Sequence, residues 1–309
     1  MSYFRLFLMT IALGVGCANA ATSDAPKAQA PAGFWDHWGD GQAELAGYRL
    51  HQPRYGEMRT GEAVLIFVTE TFTHAQRLKS DGGHSDEYPV IKLNEVRDFP
   101  TGVYDYNVMT STFLRLDGAD PIGRPVKVSF SMQEWCGQVW DQWRIDENKW
   151  RRTGHGYFDG EGDAQTQGVF EGHTVFADAL PLVVRGLTGD LLAPGASASF
   201  LMVPRSMTER LTHTRSDPFP VTITRSAEHT LATVPAGRFE VETWTVQKSG
   251  QLLLTYLVEK AAPHRLIQWM GSNGERGELT GAVRMPYWQR AREGDEKLRE
   301  QLGFSSPAP

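Results

Sequence analysis

The fold is decided by residues 219–285, which read FPVTITRSAEHTLATVPAGRFEVETWTVQKSGQLLLTYLVEKAAPHRLIQWMGSNGERGELTGAVRM. Apolar and polar residues alternate in short runs, and each run ends at a turn-forming pair or triplet, which is typical of antiparallel strands. The pairs Ser249-Gly250 and Asn273-Gly274 are hairpin signals, and Asn-Gly is the stronger of the two. The pattern therefore predicts a meander with strands at 219–226, 228–234, 238–246, 252–259, 265–270 and 276–285.

The N-terminal half repeats this pattern less regularly and predicts strands at 47–52, 62–69, 90–96, 103–116, 126–135, 138–146 and 150–158. A two-residue loop at Glu147-Asn148 places Trp140 opposite His155. Helical patterns are few: residues 175–187, which Pro181 should kink or shorten, and residues 287–302. We therefore expect a mainly β protein, a large curved antiparallel meander sheet or open barrel, with one internal helix and a C-terminal helix.

Composition excludes several classes of protein. Of the 309 residues, 40% are hydrophobic and 22% are charged, which is typical of a globular chain and not of a disordered one. The net charge of −6 argues against nucleic acid as a partner. No apolar run beyond residue 20 is long enough to span a bilayer. Phosphate loops, dinucleotide fingerprints and paired-Cys metal sites are absent from the sequence, so we expect no cofactor and no metal.

The N-terminus has the features of an export signal. Residues 1–20 combine Arg5, a short apolar run and the small-residue pattern Ala18-Asn19-Ala20, which predicts cleavage after Ala20 and a periplasmic protein. Cys17 leaves open the alternative of a lipoprotein anchored through that residue. Residues 21–33 are rich in Ala and Pro and are interpreted as a tether. Residues 34–309 form the β-rich domain, with two packed lobes (34–172 and 173–309) as the alternative arrangement.

The stretch 126–138 (VKVSFSMQEWCGQ) contains the first candidate site residues. Strict alternation puts Glu134 and Cys136 on the apolar face of the strand, where burial would raise the pKa of the carboxyl group. The alternative is that the strand ends or bulges near Gly137, so that Glu134 turns to solvent.

Aromatic residues cluster between Trp135 and Phe158, and Trp140 is predicted to share a face with His155. Aromatic faces of this kind line grooves for sugars or amphiphiles, although ordinary sheet packing explains them equally well. A second polar and aromatic stretch, EVRDFPTGVYDYN, suggests a buried link between Arg97 and Asp105. The candidate ligand-binding residues are Glu134, Cys136, Trp140, His155, Arg97 and Asp105; no catalytic residue is assigned.

Three functions remain open from the residues alone. The first is a non-enzymatic periplasmic protein that binds an amphiphile, a glycan or an envelope protein on a concave apolar sheet face. The second is a hydrolase that uses Glu134, alone or with Cys136 and His155. The third is an envelope scaffold whose exposed sheet edge receives a partner strand.

Two segments also carry a family resemblance. Residues 43–68 (AELAGYRLHQPRYGEMRTGEAVLIFV), together with 126–137, resemble exported bacterial proteins of unknown function, some of which are labelled septum formation inhibitor Maf. The nucleotide motif of the cytoplasmic Maf pyrophosphatases is absent here. Residues 234–269, with 178–186, look like a family of exported β-rich domains of unknown function. The resemblance implies a curved antiparallel sheet in the cell envelope and brings no catalytic residues with it.

Overall fold

The computed structural model describes residues 25–305, so the predicted signal at 1–20 and the start of the predicted tether lie outside the described residues. Seventeen strands and a few short helices occur within this range. The strands are β1 (Lys27–Gln29), β2 (Ala43–Arg54), β3 (Glu57–Thr73), β4 (Glu87–Pro100), β5 (Asp105–Arg115), β6 (Asp117–Pro121), β7 (Lys127–Glu134), β8 (Gly137–Asp146), β9 (Lys149–His155), β10 (Ala164–Val169), β11 (Thr174–Phe176), β12 (Ser197–Val203), β13 (Phe219–Val234), β14 (Gly237–Lys248), β15 (Gln251–Glu259), β16 (Leu266–Gly271) and β17 (Arg276–Met285).

Fifteen of these strands form one open sheet in the order β10-β9-β8-β7-β5-β4-β3-β2-β17-β16-β15-β14-β13-β12-β11. Nearly every neighbour in space is also a neighbour along the chain and pairs antiparallel, and only β11 and β12 run parallel. The two halves of the chain meet where β17 pairs with β2. The prediction of a large mainly β meander is confirmed, and the sheet does not close into a barrel.

The hairpin turns follow the predicted turn chemistry. Gly274 has φ 91° and Gly250 has φ 78°, values that glycine adopts without the steric cost of a Cβ. Trp140 lies opposite His155, as the loop at Glu147-Asn148 predicts. The two strands expected at 219–226 and 228–234 are one strand, β13, with an irregularity between Arg225 and His229.

The predicted helices are shorter than expected. Within 175–187, a 3-10 turn (Ala177–Ala179) leads into α2 (Leu180–Val183), which has Pro181 in its first turn. At the C-terminus, the predicted helix is two 3-10 segments, Tyr287–Gln289 and Asp295–Leu302, because Gly294 leaves the helical region at φ 95°. Two further helices, α1 (Phe34–Trp38) and α3 (Ser206–Thr212), were not predicted.

The main core lies on one face of the sheet, which we call the inner face. Alternate residues from β2 to β16 join α2 in one buried cluster, so the sheet curls around it. Large side chains such as Tyr48, Phe67, Phe130 and Trp244 fill this space. Core side chains therefore fill the inner face where these elements pack.

The opposite, outer face carries a smaller cover made by the C-terminal segment 287–304. Leu302 and Phe304 pack on β2 and β3 with Leu45 and Val68. The segment comes so close that a Cβ at Gly47 would lie 2.3 Å from the carbonyl oxygen of Leu302. Glycine is required there because only hydrogen leaves room for the crossing backbone.

The predicted tether is partly built into the fold. Lys27–Gln29 forms β1, which pairs with β6, and Ala28 is fully buried. This corrects the tether interpretation for residues 25–33. Among residues 25–305, none of the helices has the length and apolar character that crossing a membrane requires.

Candidate functional site

A wide open cleft lies on the outer face across β4, β5, β7, β8 and β9. Its volume is about 760 Å³, within the range of small-molecule sites. Three of the predicted site residues, Cys136, Trp140 and His155, line it together. The register explains this grouping, since residues opposite one another on neighbouring strands point to the same face.

One row of the cleft is polar. Cross-strand pairing runs without interruption from β4 to β8, and each member of the row is exposed: Asp98, Asn107, Gln133 and Gln138. The Asn107 side-chain amide donates to Asp98 Oδ1 at 2.7 Å. Within residues 25–305, the amides of Gln133 and Gln138 have no protein partner. The row covers three strand spacings, about 14 Å, and presents donors and acceptors together.

The adjacent row is apolar and aromatic. It consists of Val96, Met109, Ser131, Trp140 and His155. The Trp140 and His155 rings stack with their centroids 5.4 Å apart. Tyr157 stands beyond the end of β9, packs over Gly137 and remains exposed. The cleft therefore combines aromatic surface with unpaired amides.

Glu134 does not behave as the strict alternation predicts. The strand ends at this residue, and Trp135 and Cys136 form the turn into β8. Glu134 is half-buried, and its Oε2 accepts a hydrogen bond from the Cys136 backbone N–H at 2.6 Å. Neither Arg144 nor Arg97 pairs with Glu134, because Arg144 donates to the Gln76 carbonyl and Arg97 lies in the core. The alternative, a strand end near Gly137, describes the residue correctly.

Cys136 is exposed and sits beside a carboxylate. The hydrogen bond to Glu134 raises the pKa of the Cys136 thiol above its ordinary value. A nucleophilic cysteine needs the opposite shift, because the thiolate is the reactive form. Within residues 25–305 no hydrogen bond joins Cys136 to His155, whose Nδ1 pairs with Asp163 Oδ1 at 2.9 Å. The three residues of the hydrolase hypothesis do not form a catalytic array.

The predicted link between Arg97 and Asp105 does not exist. Arg97 is 1% exposed on the inner face, whereas Asp105 is exposed at the start of β5. Their strands pair so that Arg97 faces Val108, and Asp105 lies opposite Pro100. The reason is parity along β4. Asp98 and Arg97 are neighbours and must point to opposite faces, and Pro100, which lies opposite Asp105, shares the face of Asp98.

Arg97 instead belongs to a buried charge cluster that sequence reasoning missed. Its Nε donates to Glu95 Oε1 at 2.6 Å and its Nη1 to Glu275 Oε1 at 2.8 Å. Arg205 joins the same two carboxylates, at 2.8 Å from Glu95 Oε1 and 2.9 Å from Glu275 Oε1. The Trp269 indole N–H also donates to Glu275 Oε1, at 3.0 Å. This cluster ties β4, the 271–276 turn and the segment before α3 together across the core.

The surroundings of the cluster shift the pKa values of two acid groups, Glu275 and Asp178, in opposite directions. Burial would raise the pKa of Glu275, but the Arg97 and Arg205 guanidinium groups outweigh it and hold that pKa at about 2. Asp178 is also buried but lies farther from the guanidinium groups, with its Oδ1 3.8 Å from Arg205 Nε. Burial therefore outweighs the attraction of Arg205 and raises the pKa of Asp178 to about 6. Ser206 donates to Asp178 through both its backbone N–H and its hydroxyl group.

Other buried ion pairs cross-link the inner face. Arg185 is fully buried and makes a two-point contact with Glu44 at 2.7 and 3.0 Å. Arg152 binds Asp141 on the neighbouring strand and Glu209 on α3. Each pair is hydrogen-bonded on several atoms, as buried charges must be. We interpret these groups as structural, since each joins separate elements of the chain.

Metal ligation has no support in residues 25–305, where His, Cys, Asp and Glu side chains form no group of three or more that could hold an ion.

The chain matches no family model and no curated protein. Among solved structures, it is similar to a β-barrel-like protein of the domain of unknown function DUF1849 from Brucella abortus. The identity is 10% and the TM-score is 0.43, over 78% of this chain and 96% of that one. The structure in hand is that of a β-rich protein, and the similar protein is likewise one of unknown function.

Proposed function

We propose that this protein is an exported, non-enzymatic binding protein of the bacterial cell envelope that takes a glycan in the outer-face cleft. Its expected location is the periplasm, after removal of residues 1–20, and the support for this is the signal-like composition of that segment. Anchoring through Cys17 is the alternative form of the same proposal.

The observation that carries the proposal is the pairing of two rows on one sheet face. Trp140 and Tyr157 supply aromatic surface, on which the apolar face of a sugar ring can stack. Gln133 and Gln138 supply unpaired amides, which can donate to and accept from hydroxyl groups. An uncharged polyhydroxylated chain matches both rows at once, whereas an acyl chain would leave the amides without partners.

Binding is favoured over hydrolysis because the groups of the hydrolase hypothesis are not joined for catalysis. Across the residues that the structure describes, no hydrogen bond connects the Cys136 thiol to the His155 ring. The raised pKa of the Cys136 thiol keeps it protonated at neutral pH. A base that activates a nucleophile must lie within hydrogen-bond reach of it.

The test is binding to an array of bacterial cell-wall and outer-membrane oligosaccharides, followed by calorimetric titration of the best ligand. We expect Trp140→Ala to weaken binding about tenfold or more, since truncation of a central aromatic contact typically costs this much. Trp35→Ala is the matched control, because Trp35 is also exposed but lies on α1, outside the cleft. Absence of binding to every glycan, or equal weakening by both variants, would contradict the proposal.

A further inference from the structure

A second cleft on the outer face lies beneath the C-terminal segment 287–304. Its volume is about 500 Å³. The floor is a cross-strand row of aliphatic side chains from three strands, Ile66 on β3, Leu45 on β2 and Val283 on β17. Leu298 and Leu302 of the C-terminal segment form one wall. We call this cleft the C-terminal groove.

The groove leaves apolar surface uncovered. Val64, Ile66, Val283, Met285 and Tyr287 pack only partly against the buried residues of this face. Exposure of this apolar surface to water is unfavourable, so a hydrocarbon chain that covers it would gain free energy of binding. The floor has no amide side chains, which distinguishes it from the glycan cleft, although Val96 and Asp98 line both.

The charges at the rim select the head group of a ligand. Arg290 and Arg292 line the groove, both are exposed, and within residues 25–305 neither guanidinium group has an ion-pair partner. Three carboxylates also line the groove, and each is anchored by a hydrogen bond from a neutral donor: Asp295 accepts the Arg292 backbone N–H, Glu296 accepts that of Gly294, and Asp98 accepts Asn107. Arg299 is paired with Glu62 at 2.9 Å. Arg290 and Arg292 are therefore the guanidinium groups of this rim that have no ion-pair partner within residues 25–305.

We propose that the C-terminal groove binds a single-chain anionic amphiphile, with its acyl chain on the row Ile66–Leu45–Val283 and its anionic group on Arg290 and Arg292. Guanidinium groups bind carboxylates and phosphates by paired hydrogen bonds, and this contact complements the apolar floor. The site is separate from the glycan cleft and does not depend on the proposed glycan function.

The test is titration of the full chain with sodium dodecanoate below its micelle concentration, with octanoate, decanoate and dodecyltrimethylammonium as further probes. We expect saturable binding of dodecanoate that weakens about fourfold for each CH₂ removed, as expected for chain burial. The cationic probe should bind at least tenfold more weakly than dodecanoate. Binding without dependence on chain length, or equal binding of both head groups, would overturn the proposal.

Variants then locate the site. R290E/R292E should weaken dodecanoate binding at least tenfold, and its folding should be unaffected because both side chains are exposed and unpaired. R151E/R238E is the matched control with the same change in net charge, since Arg151 on β9 and Arg238 on β14 are exposed and do not line the groove, and it should leave the affinity unchanged. Equal effects from both variants would show that dodecanoate responds only to net charge. Because none of these variants touches Trp140, a negative result would leave the glycan proposal intact.

Discussion

Asp178 is the buried acid that most directly links protonation to the stability of this fold. Burial raises the pKa of Asp178 to about 6 in the folded state, whereas the pKa of an unfolded Asp is about 4. Between pH 4 and pH 6, Asp178 is therefore protonated in the folded state and ionised in the unfolded state. Its contribution to stability is therefore greatest at low pH and falls as pH rises through 6. The Arg205 and Ser206 contacts reduce this penalty without removing it.

We expect Asp178→Asn to remove this part of the pH dependence. Relative to wild type, the free energy of unfolding of the variant should rise by about 2 kcal/mol between pH 4 and pH 7, because most of the effect of a two-unit pKa shift falls within this range. Urea denaturation at a series of pH values measures this difference. Asp105→Asn, at an exposed position, should keep the wild-type pH dependence. Parallel curves for wild type and Asp178→Asn would show that Asp178 is ionised in the folded state throughout.

At the level of single residues, alternation along a strand predicted which side chains share a face of the sheet. Trp140 and His155 share a face because the loop at Glu147-Asn148 sets their register. Glu134 was placed wrongly because a strand end breaks alternation, and the sequence does not show where pairing stops. The cluster of Glu95, Arg97, Arg205 and Glu275 could not be found, since Arg205 and Glu275 are far in sequence from the neighbours Glu95 and Arg97 and join them only through the sheet topology.

Among the elements, the hairpin between β16 and β17 depends on the backbone conformation of Gly274. The φ of 91° is one that a β-branched residue rarely adopts. A Cβ there would meet only the terminal methyl of Met58, at 3.1 Å, so the cost of substitution is mainly in the backbone. We expect Gly274→Val to destabilise the protein by about 1–3 kcal/mol, measured by the urea midpoint.

The control for this substitution is Gly162→Val. The φ of Gly162 lies outside the left-handed region, and a Cβ at this position would have no other atom within 4 Å. The change should therefore leave the midpoint nearly unaltered. An unchanged midpoint for Gly274→Val would mean that the turn is not formed with this geometry in solution.

The C-terminal segment is the second element whose placement can be tested. A side chain at Gly47 would collide with the backbone and side chain of Leu302, so the C-terminal segment would have to move. We expect Gly47→Val to release residues 295–304 from the outer face and to open the C-terminal groove. Limited proteolysis at Arg299 should therefore be at least tenfold faster in the variant.

Arg49→Val is the matched control, because Arg49 is an exposed position on the same strand, two residues away. It introduces the same side chain without meeting the C-terminal segment. Equal proteolysis rates for Gly47→Val and Arg49→Val would contradict the packing described for this segment.

Element prediction succeeded where a long run of alternation was bounded by turn residues. Every predicted strand from 238 onwards lies within one residue or two of its observed bounds. Five strands were missed: β1, β6, β10, β11 and β12. Two of these, β1 and β11, have three residues each, too few for alternation to be visible. β1 and β6 pair with each other from distant parts of the chain, so local sequence could not indicate their pairing.

For the whole molecule, export remains a prediction from the first twenty residues. We expect the mature protein to begin at Ala21, because Ala18-Asn19-Ala20 fits the cleavage rule. N-terminal sequencing or intact-mass analysis of protein isolated from the native host decides this. A lipid-modified Cys17 would replace the soluble form by an anchored one, and retention of Met1 would contradict export.

The open sheet gives the molecule two different faces. The inner face carries one core that is cross-linked by buried ion pairs, whereas both proposed binding sites lie on the outer face. There the glycan cleft and the C-terminal groove adjoin at Val96 and Asp98. The central claim of this account is that ligands bind to the outer face and not inside the curled sheet.

The most direct test is NMR of protein labelled with ¹⁵N at glutamine side-chain amides and tryptophan indoles, titrated with the best-binding envelope glycan. We predict that the signals of Gln133, Gln138 and Trp140 shift with a common affinity, while those of the inner-face residues Trp244 and Trp269 stay unchanged. Shifts confined to Trp244 and Trp269, with none at Trp140, would place the ligand inside the sheet and contradict the account.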